Sequence, residues 1–391
     1  MSVKPRSILT LWFSSNTAVA KYAIGLIPAT LGLSPTLTII SLTLGNFIAS
    51  IILGIATSMG PRFNKEQIRI SQDVFNNGWK AFSFLNFLNT LGWFIVNVTL
   101  GGFALSVLTN NVVLGGLIIV VIDVSVVIFG SSFIHKFESY VSLLLVALGI
   151  FISAEILTVH MKIPEGGSFL SFWVVFLTSF GAILSWSPYA SDYSKGLNLD
   201  FKKSLFYTSL GVTVPSVWLS YLGYLSALAI GKSSPIADVL GVLGKYFLAG
   251  VVIMVLGIVS ADALNLYTNT VALTSIVNIK REIATIIAGV LGFIAFYFIY
   301  KNFLDFLINF LSSLGYWISP WIGVLIAYLI ERKDWKRAWV SFSLSVIIAL
   351  PFMNLRQYGI PYEGFISSMM GGIDVSQIVM FFVSILFYLM L

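Results

Sequence analysis

The chain alternates between long apolar runs and short connections that are charged or rich in Gly, Ser and Pro. A membrane crossing takes about 20 mostly apolar residues, and twelve runs approach or exceed that length. The predicted spans, numbered 1 to 12 in chain order, cover residues 8–31, 35–59, 81–107, 112–131, 139–159, 168–190, 204–230, 246–272, 282–300, 303–330, 337–353 and 375–391. No connection could hold a large soluble domain, so the sequence predicts an all-α integral membrane protein with 12 transmembrane helices.

The composition agrees with this prediction and narrows the functional classes. Of the 391 residues, 58% are hydrophobic and only 10% are charged, whereas about a quarter of the residues of a soluble enzyme are charged. There is no cysteine and there are two histidines, so thiolate chemistry is excluded and a zinc or haem site is not expected. The basic residues are spread among the connections instead of forming a patch, so nucleic acid is not an expected partner.

The distribution of basic residues predicts the orientation in the membrane. If the N-terminus is cytoplasmic, 16 of the 22 Lys and Arg residues fall in cytoplasmic loops and five in external loops. Cytoplasmic loops of membrane proteins carry an excess of Lys and Arg. We therefore expect a multi-pass protein of the cell membrane with both termini in the cytoplasm.

Polar residues inside the apolar runs indicate where function resides, because an intramembrane ionisable group is costly unless it faces a cavity or a partner. In span 1, the polar residues 14–17 precede Lys21. This cluster predicts a broken helix that lines a site; the alternative is that Lys21 extends to the membrane surface. In span 6, Gly181 and Pro188 weaken the helix and predict a second break. Trp186 nearby either contacts a substrate or belongs to the interfacial aromatic belt.

Spans 3 and 8 carry amide side chains near mid-depth. Trp93 and Asn97 are four residues apart, so one helical face can present an aromatic ring and an amide to a ligand; helix packing is the alternative. Asp262 and Asn265 in span 8 also share a face, and a buried structural ion pair is the alternative there. Asp123 in span 4 faces either another helix or lipid headgroups.

These features repeat at a constant offset. The predicted breaks lie in spans 1 and 6 and the amides in spans 3 and 8, so each pair is five spans apart. Such an offset is expected of two five-helix repeats of opposite orientation with a binding site at their interface. We predict a first repeat in residues 1–160, a second in residues 161–332 and two additional helices in residues 333–391.

Several short segments carry a resemblance that extends over nearly the whole chain. They are residues 12–16, 32–34, 60–62, 92–97, 186–194, 263–267, 316–321 and 372–376. Together and in this order they resemble the nucleobase:cation symporters, the family of the cytosine, purine and hydantoin permeases. The resemblance implies a five-plus-five inverted-repeat core of the sodium:leucine transporter type, followed by two extra helices.

The resemblance also implies a substrate site. A planar heterocycle would stack on Trp93, while Asn97 and Asn265 would hold its polar edge. Span 6 would contribute an aromatic residue near its break. The candidates in span 6 are Phe180, followed by Gly181, and Trp186.

Ion coupling is less clearly implied. Sodium-coupled relatives use two adjacent hydroxyls on span 8, whereas Val259-Ser260 supplies one. A sodium ion near Ser260 is therefore one interpretation. The other is that Lys21 takes the place of the ion and pairs with Asp262, because two buried opposite charges stabilise each other.

We therefore expect a secondary active transporter, not an enzyme, that imports a nucleobase such as cytosine or a purine by alternating access. Its expected partners are a small molecule and the lipid bilayer, with no protein partner and no cofactor other than a co-transported proton or sodium ion. An amino-acid permease of the same architecture is the alternative, since helix ends at the breaks could bind a zwitterion. No catalytic constellation favours an intramembrane enzyme, and no repeated filter sequence favours a channel.

Overall fold

The computed structural model describes residues 7–129, 134–231 and 234–391, and these residues form seventeen α-helices and no β-strand. The helices are α1 (Ser7–Asn16), α2 (Val19–Thr30), α3 (Pro35–Phe63), α4 (Gln67–Phe75), α5 (Trp79–Thr109), α6 (Val112–Phe129), α7 (Ile134–Glu155), α8 (Phe169–Leu184), α9 (Phe201–Ile230), α10 (Pro235–Val242), α11 (Phe247–Ile276), α12 (Arg281–Ile299), α13 (Phe303–Ser313), α14 (Gly315–Ile330), α15 (Trp335–Ala349), α16 (Phe365–Met369) and α17 (Ser376–Met390). Every predicted span coincides with one helix or with two consecutive helices.

The helices have the length and surface of a multi-pass membrane protein. Within the described residues, seven helical segments are long and apolar enough to cross a membrane by length and composition. Three shorter apolar helices accompany them: Val19–Thr30, Val112–Ile128 and Ser376–Met390. Large apolar side chains cover the outer surface; Phe298, for example, is 75% exposed. Twelve crossings and the division into two repeats remain predictions.

Span 1 is broken, as the sequence predicts. Helix α1 ends at Asn16 and α2 begins at Val19, with Ala18 between them in an extended conformation. The side chains of Asn16 and Thr17 donate to the backbone oxygens of Trp12 and Phe13 at 3.0 and 2.8 Å. Polar side chains therefore satisfy backbone groups at the end of α1, as a break inside a membrane requires.

Span 6 is also broken, between the two residues that predict the break. Helix α8 ends at Leu184, and a 3₁₀ segment follows from Ser187 to Tyr193. Asn89 of α5 donates to the backbone oxygen of Ser185 at 3.0 Å. Helix α5 thus supplies a hydrogen bond that the interrupted helix lacks.

Helices α2 and α9 cross at very short range. A Cβ atom added at Gly25 would lie 1.9 Å from the backbone oxygen of Ser220 and 2.6 Å from the backbone nitrogen of Tyr224. Only glycine permits this approach, which is typical of helix packing in membranes. The contact fixes α2, and with it Lys21, against the second half of the protein.

The carboxylate of Asp374 fixes the C-terminal helix. Its oxygens accept hydrogen bonds from the Tyr316 hydroxyl at 2.6 Å, the Asn354 backbone N–H at 2.7 Å and the Ser376 backbone N–H at 2.8 Å. These bonds join the start of α17 to α14 and to the connection that follows α15. Helix α17 then packs along α14 and α15.

Candidate substrate-binding cavity

A cavity lies where the two helix breaks face α5, α7 and α11. The empty space in and next to the cavity, including open solvent on one side, is about 650 Å³. Six residues that the sequence singled out line it: Lys21, Trp93, Asn97, Trp186, Ser260 and Asn265. The structure therefore brings together the predicted groups of spans 1, 3, 6 and 8.

Two tryptophan rings in the cavity wall are held by contacts at their edges. The indole N–H of Trp93 donates to the Ser185 hydroxyl at 3.0 Å, and the ring makes an edge-to-face contact with Phe310 at 5.7 Å between centroids. Trp186 makes edge-to-face contacts with Trp12 at 5.7 Å and with Tyr189 at 5.4 Å. Such contacts fix ring orientation, and a flat ligand could stack on either tryptophan.

The segment that carries Trp186 is anchored by α4, a helix that the apolar runs do not predict. Asp192 accepts a hydrogen bond from the backbone N–H of Gln67 at 2.7 Å, and the Gln67 side chain accepts one from the backbone N–H of Ser191 at 3.2 Å. Asp192 thereby binds the N-terminus of α4, where a carboxylate is favoured. These bonds hold the 3₁₀ segment in place next to the cavity.

The amides of Asn97 and Asn265 face the same cavity. The Asn97 side chain donates one hydrogen bond to Oδ1 of Asp262 at 2.9 Å. An amide group has two N–H donors and a carbonyl acceptor, so Asn97 retains one N–H and its oxygen for a ligand. Asn265 lies one turn along α11 from Ala261, which lines the cavity as well.

Phe180 and Gly181 are not among the residues that line the cavity, and their contact with substrate stays a prediction. Phe180 is 1% exposed and stacks on Phe176 of the same helix. A Cβ atom at Gly181 would lie 2.0 Å from the backbone oxygen of Leu311. Gly181 is thus a close-packing residue between α8 and α13, and the aromatic residue at the break is Trp186.

The predicted ion pair between Lys21 and Asp262 is not formed. Lys21 is 4% exposed, lines the cavity and has no ion pair with any described carboxylate. Asp262 is fully buried and is bonded to Asn97 instead. The two residues lie on different sides of Asn97: Lys21 in the cavity wall and Asp262 behind it.

Ser260, the candidate ion ligand of span 8, lines the cavity. Its hydroxyl is buried and has no hydrogen-bond partner among the described residues. Ser14, Ser15, Thr17 and Ser142 also line the cavity. The polar cluster of span 1 indicates the first three of these, but Ser142 lies in an ordinary apolar helix and nothing in the sequence points to it.

The sequence leaves open whether the Asp123 side chain faces another helix or lipid headgroups. Of the two interpretations, the structure shows the first: the side chain faces another helix. It is fully buried and lies beside Asp262 of α11. The apolar neighbours of Asp123 occupy all sides of α6, so the sequence contains no pattern from which its direction could be read.

Two broken helices that meet at a buried, aromatic and amide-lined cavity define the class of secondary membrane transporters. The chain belongs to the family of permeases for cytosine/purines, uracil, thiamine and allantoin, whose model matches residues 2–343. The resemblance to the nucleobase:cation symporters is thereby confirmed. The protein is a transporter and not an enzyme.

Individual relatives agree with the family assignment. YxlA of Bacillus subtilis, named as a purine-cytosine permease, is 24% identical, with 99% of this chain and 92% of the relative covered. The purine-cytosine permease fcyB of Emericella nidulans is 26% identical, with 88% and 76% covered. The closed structure of Mhp1, a nucleobase-cation-symport-1 family transporter with bromovinylhydantoin bound, superposes with a TM-score of 0.79 at 19% identity, covering 99% of this chain and 91% of Mhp1. This similarity shows a shared fold.

Proposed function

We propose that the protein imports a nucleobase or a related planar heterocycle across the cell membrane by alternating access. The observation that carries the proposal is the convergence of two tryptophans and two asparagines on one buried cavity: Trp93, Trp186, Asn97 and Asn265. In this proposal the substrate stacks on the tryptophans and its polar edge binds the amides. The chain crosses the membrane twelve times with both termini in the cytoplasm.

Elementary energetics favour this type of ligand. Stacking of a base on an aromatic side chain contributes about 1–3 kcal/mol. The two amides supply donors and acceptors without net charge, and a buried polar site rejects ligands that leave its groups unpaired. An amino acid would leave the tryptophan faces without a partner, so the amino-acid permease is the less favoured alternative.

Lys21 gives a further indication of the substrate. Its amino group only donates hydrogen bonds, and it lines the cavity without an ion pair among the described residues. A ligand with a ring carbonyl could accept from it, whereas adenine has no carbonyl group. We therefore expect oxo-bases such as hypoxanthine, uracil or cytosine to bind more tightly than adenine.

Uptake competition tests the proposed function. Labelled hypoxanthine or cytosine is added outside proteoliposomes that contain the purified protein, and its uptake is measured. The unlabelled competitors, added outside at equal concentration, are cytosine, uracil, hypoxanthine, adenine, allantoin and leucine. The proposal predicts competition by at least one heterocycle and none by leucine. Uptake of labelled leucine without uptake of either base would instead favour the amino-acid permease.

Two asparagines of α11 provide a matched comparison. Asn265 lines the cavity, whereas Asn269 is buried and donates to the Phe87 backbone oxygen at 2.7 Å and to the Thr90 hydroxyl at 3.0 Å. We expect Asn265→Ala to raise the substrate Kd about 5- to 30-fold, because it removes one or two hydrogen bonds of about 1 kcal/mol each.

Asn269→Ala is the control for that experiment. It removes two bonds between α11 and α5, so we expect a lower thermal stability with a Kd within about twofold of wild type. Equal changes of Kd in both variants would contradict the assignment of Asn265 to the substrate.

A further inference from the structure

Two buried carboxyl groups lie in contact behind the cavity wall. Asp123 of α6 and Asp262 of α11 are each 0% exposed, and their side chains are within hydrogen-bonding reach of each other. Neither takes part in an ion pair within the described residues. This arrangement is unusual for a membrane interior, where an ionised side chain normally has a compensating partner.

The pair has few hydrogen-bond donors: Asn97 donates to Asp262, and Asn265 is within hydrogen-bonding reach of Asp262. Both oxygens of Asp123 and Oδ2 of Asp262 are buried without a donor among the described residues, while Oδ1 of Asp262 accepts from Asn97. Two adjacent carboxylates in a dry environment cannot both be ionised, so at least one of them holds a proton. A proton supplies the missing donor directly.

A metal cation fits the Asp123–Asp262 pair less well than a proton does. Hard cations take several oxygen ligands, and no group of three or more His, Asp or Glu side chains occurs in the described part of the chain. The neighbouring helices carry few titratable groups. The charged ones among the described side chains are Lys21 on α2, Lys80 on α5, Glu155 on α7, Asp238 on α10, and Arg281 and Glu282 in the first turn of α12. None of them forms an ion pair with Asp123 or Asp262.

Asn97 connects the pair to the cavity. Its amide donates to Asp262 and lines the substrate cavity at the same time. A hydrogen bond to an ionised carboxylate is about twice as strong as one to a neutral group. Protonation of the pair therefore weakens the hold on Asn97 and frees its amide to turn toward a ligand. Proton and ligand then favour each other's binding, and this coupling is reciprocal.

We propose that the Asp123–Asp262 pair is the binding site of a proton that is co-transported with the substrate. With an empty cavity, the two carboxyls share one proton and carry one negative charge. When substrate binds Asn97, a second proton from the external water converts the remaining carboxylate to a carboxylic acid. That proton leaves to the cytoplasmic water once substrate has dissociated. The proposal rests on the proposed function as a heterocycle transporter.

The test follows base and proton in the same proteoliposomes, with a pH-sensitive dye inside and choline replacing sodium. For the wild type we expect one proton to enter with each hypoxanthine or cytosine molecule, and an inward proton gradient to drive accumulation. Reciprocity predicts that the Kd for the base falls about tenfold as the pair is protonated, so affinity rises as pH is lowered.

The double variant Asp123→Asn/Asp262→Asn keeps the shapes of both side chains but removes both titrating carboxyls. We expect this variant still to exchange internal for external base, because exchange needs no net proton movement. Accumulation, proton entry and the pH dependence of Kd should all be lost. Asp123→Glu should retain proton entry, and Asp305→Asn, which alters an exposed carboxylate at the start of α13, should behave as wild type.

The outcomes separate the two proposals. If the wild type exchanges no heterocycle, the proposed function fails. If it exchanges a heterocycle but moves no protons, or requires sodium at fixed pH, only the proton site is overturned. Undiminished proton-driven accumulation by Asp123→Asn/Asp262→Asn would likewise overturn it and identify the pair as a permanently protonated structural contact. The wild-type measurements of base and proton movement can overturn the proposal by themselves, so the test does not depend on whether a variant folds.

Discussion

Trp93→Ala is expected to raise the Kd for the transported heterocycle about 5- to 150-fold, since it removes a stacking surface that contributes about 1–3 kcal/mol. It also deprives the Ser185 hydroxyl of its indole partner. Equilibrium binding of labelled base to the purified protein measures the effect. Trp93→Phe retains a ring and should cost only part of this affinity.

A tryptophan outside the cavity serves as the control for Trp93. Trp218 of α9 donates to the Ser153 hydroxyl at 3.2 Å and packs near Gly149. Trp218→Ala should lower thermal stability and leave the Kd within about twofold of wild type. If Trp93→Ala and Trp218→Ala had the same affinity as wild type, the substrate would not stack on span 3.

Gly25→Val is expected to have the largest effect on folding. Its Cβ would lie 1.9 Å from the backbone oxygen of Ser220, and a backbone atom in α9 cannot move aside as a flexible side chain can. Helix α2 must therefore separate from α9. We expect the loss of folding free energy to exceed the ordinary overpacking cost of about 1–3 kcal/mol. We expect little correctly folded protein, measured by size-exclusion profile and thermal unfolding in detergent.

Gly166→Val is the matched control, because a Cβ atom at Gly166 would meet no heavy atom within 4 Å. It should give a normal yield and a thermal unfolding temperature close to that of wild type. A normal unfolding temperature for Gly25→Val would contradict the close approach of α2 and α9, and would also question the position of Lys21 in the cavity wall.

The sequence predicts the helices well because apolar runs of membrane length have few alternative structures. It also locates the break of span 1, since the polar residues 14–17 can only be tolerated where the backbone is interrupted. The break of span 6 is predicted from Gly181 and Pro188 but lies between them, at Ser185 and Trp186. Glycine marks both flexible positions and close contacts, and Gly181 belongs to the second kind.

The candidate site is predicted less completely than the helices, for a geometric reason. Helical spacing shows that Trp93 and Asn97 share a face, and both line the cavity. Spacing does not show how α6 is rotated, because apolar residues surround Asp123 on all sides. The contact between Asp123 and Asp262 depends on that rotation.

The most direct measurement is a structure of the protein saturated with whichever heterocycle competes best in the uptake assay. We predict density for a planar ring stacked on Trp93 or Trp186, with its polar edge within hydrogen-bonding distance of the amides of Asn97 and Asn265. An aromatic stack should have ring centroids about 4.5–7 Å apart. A ligand bound elsewhere, or a cavity that stays empty at saturating concentration, would contradict the proposed function.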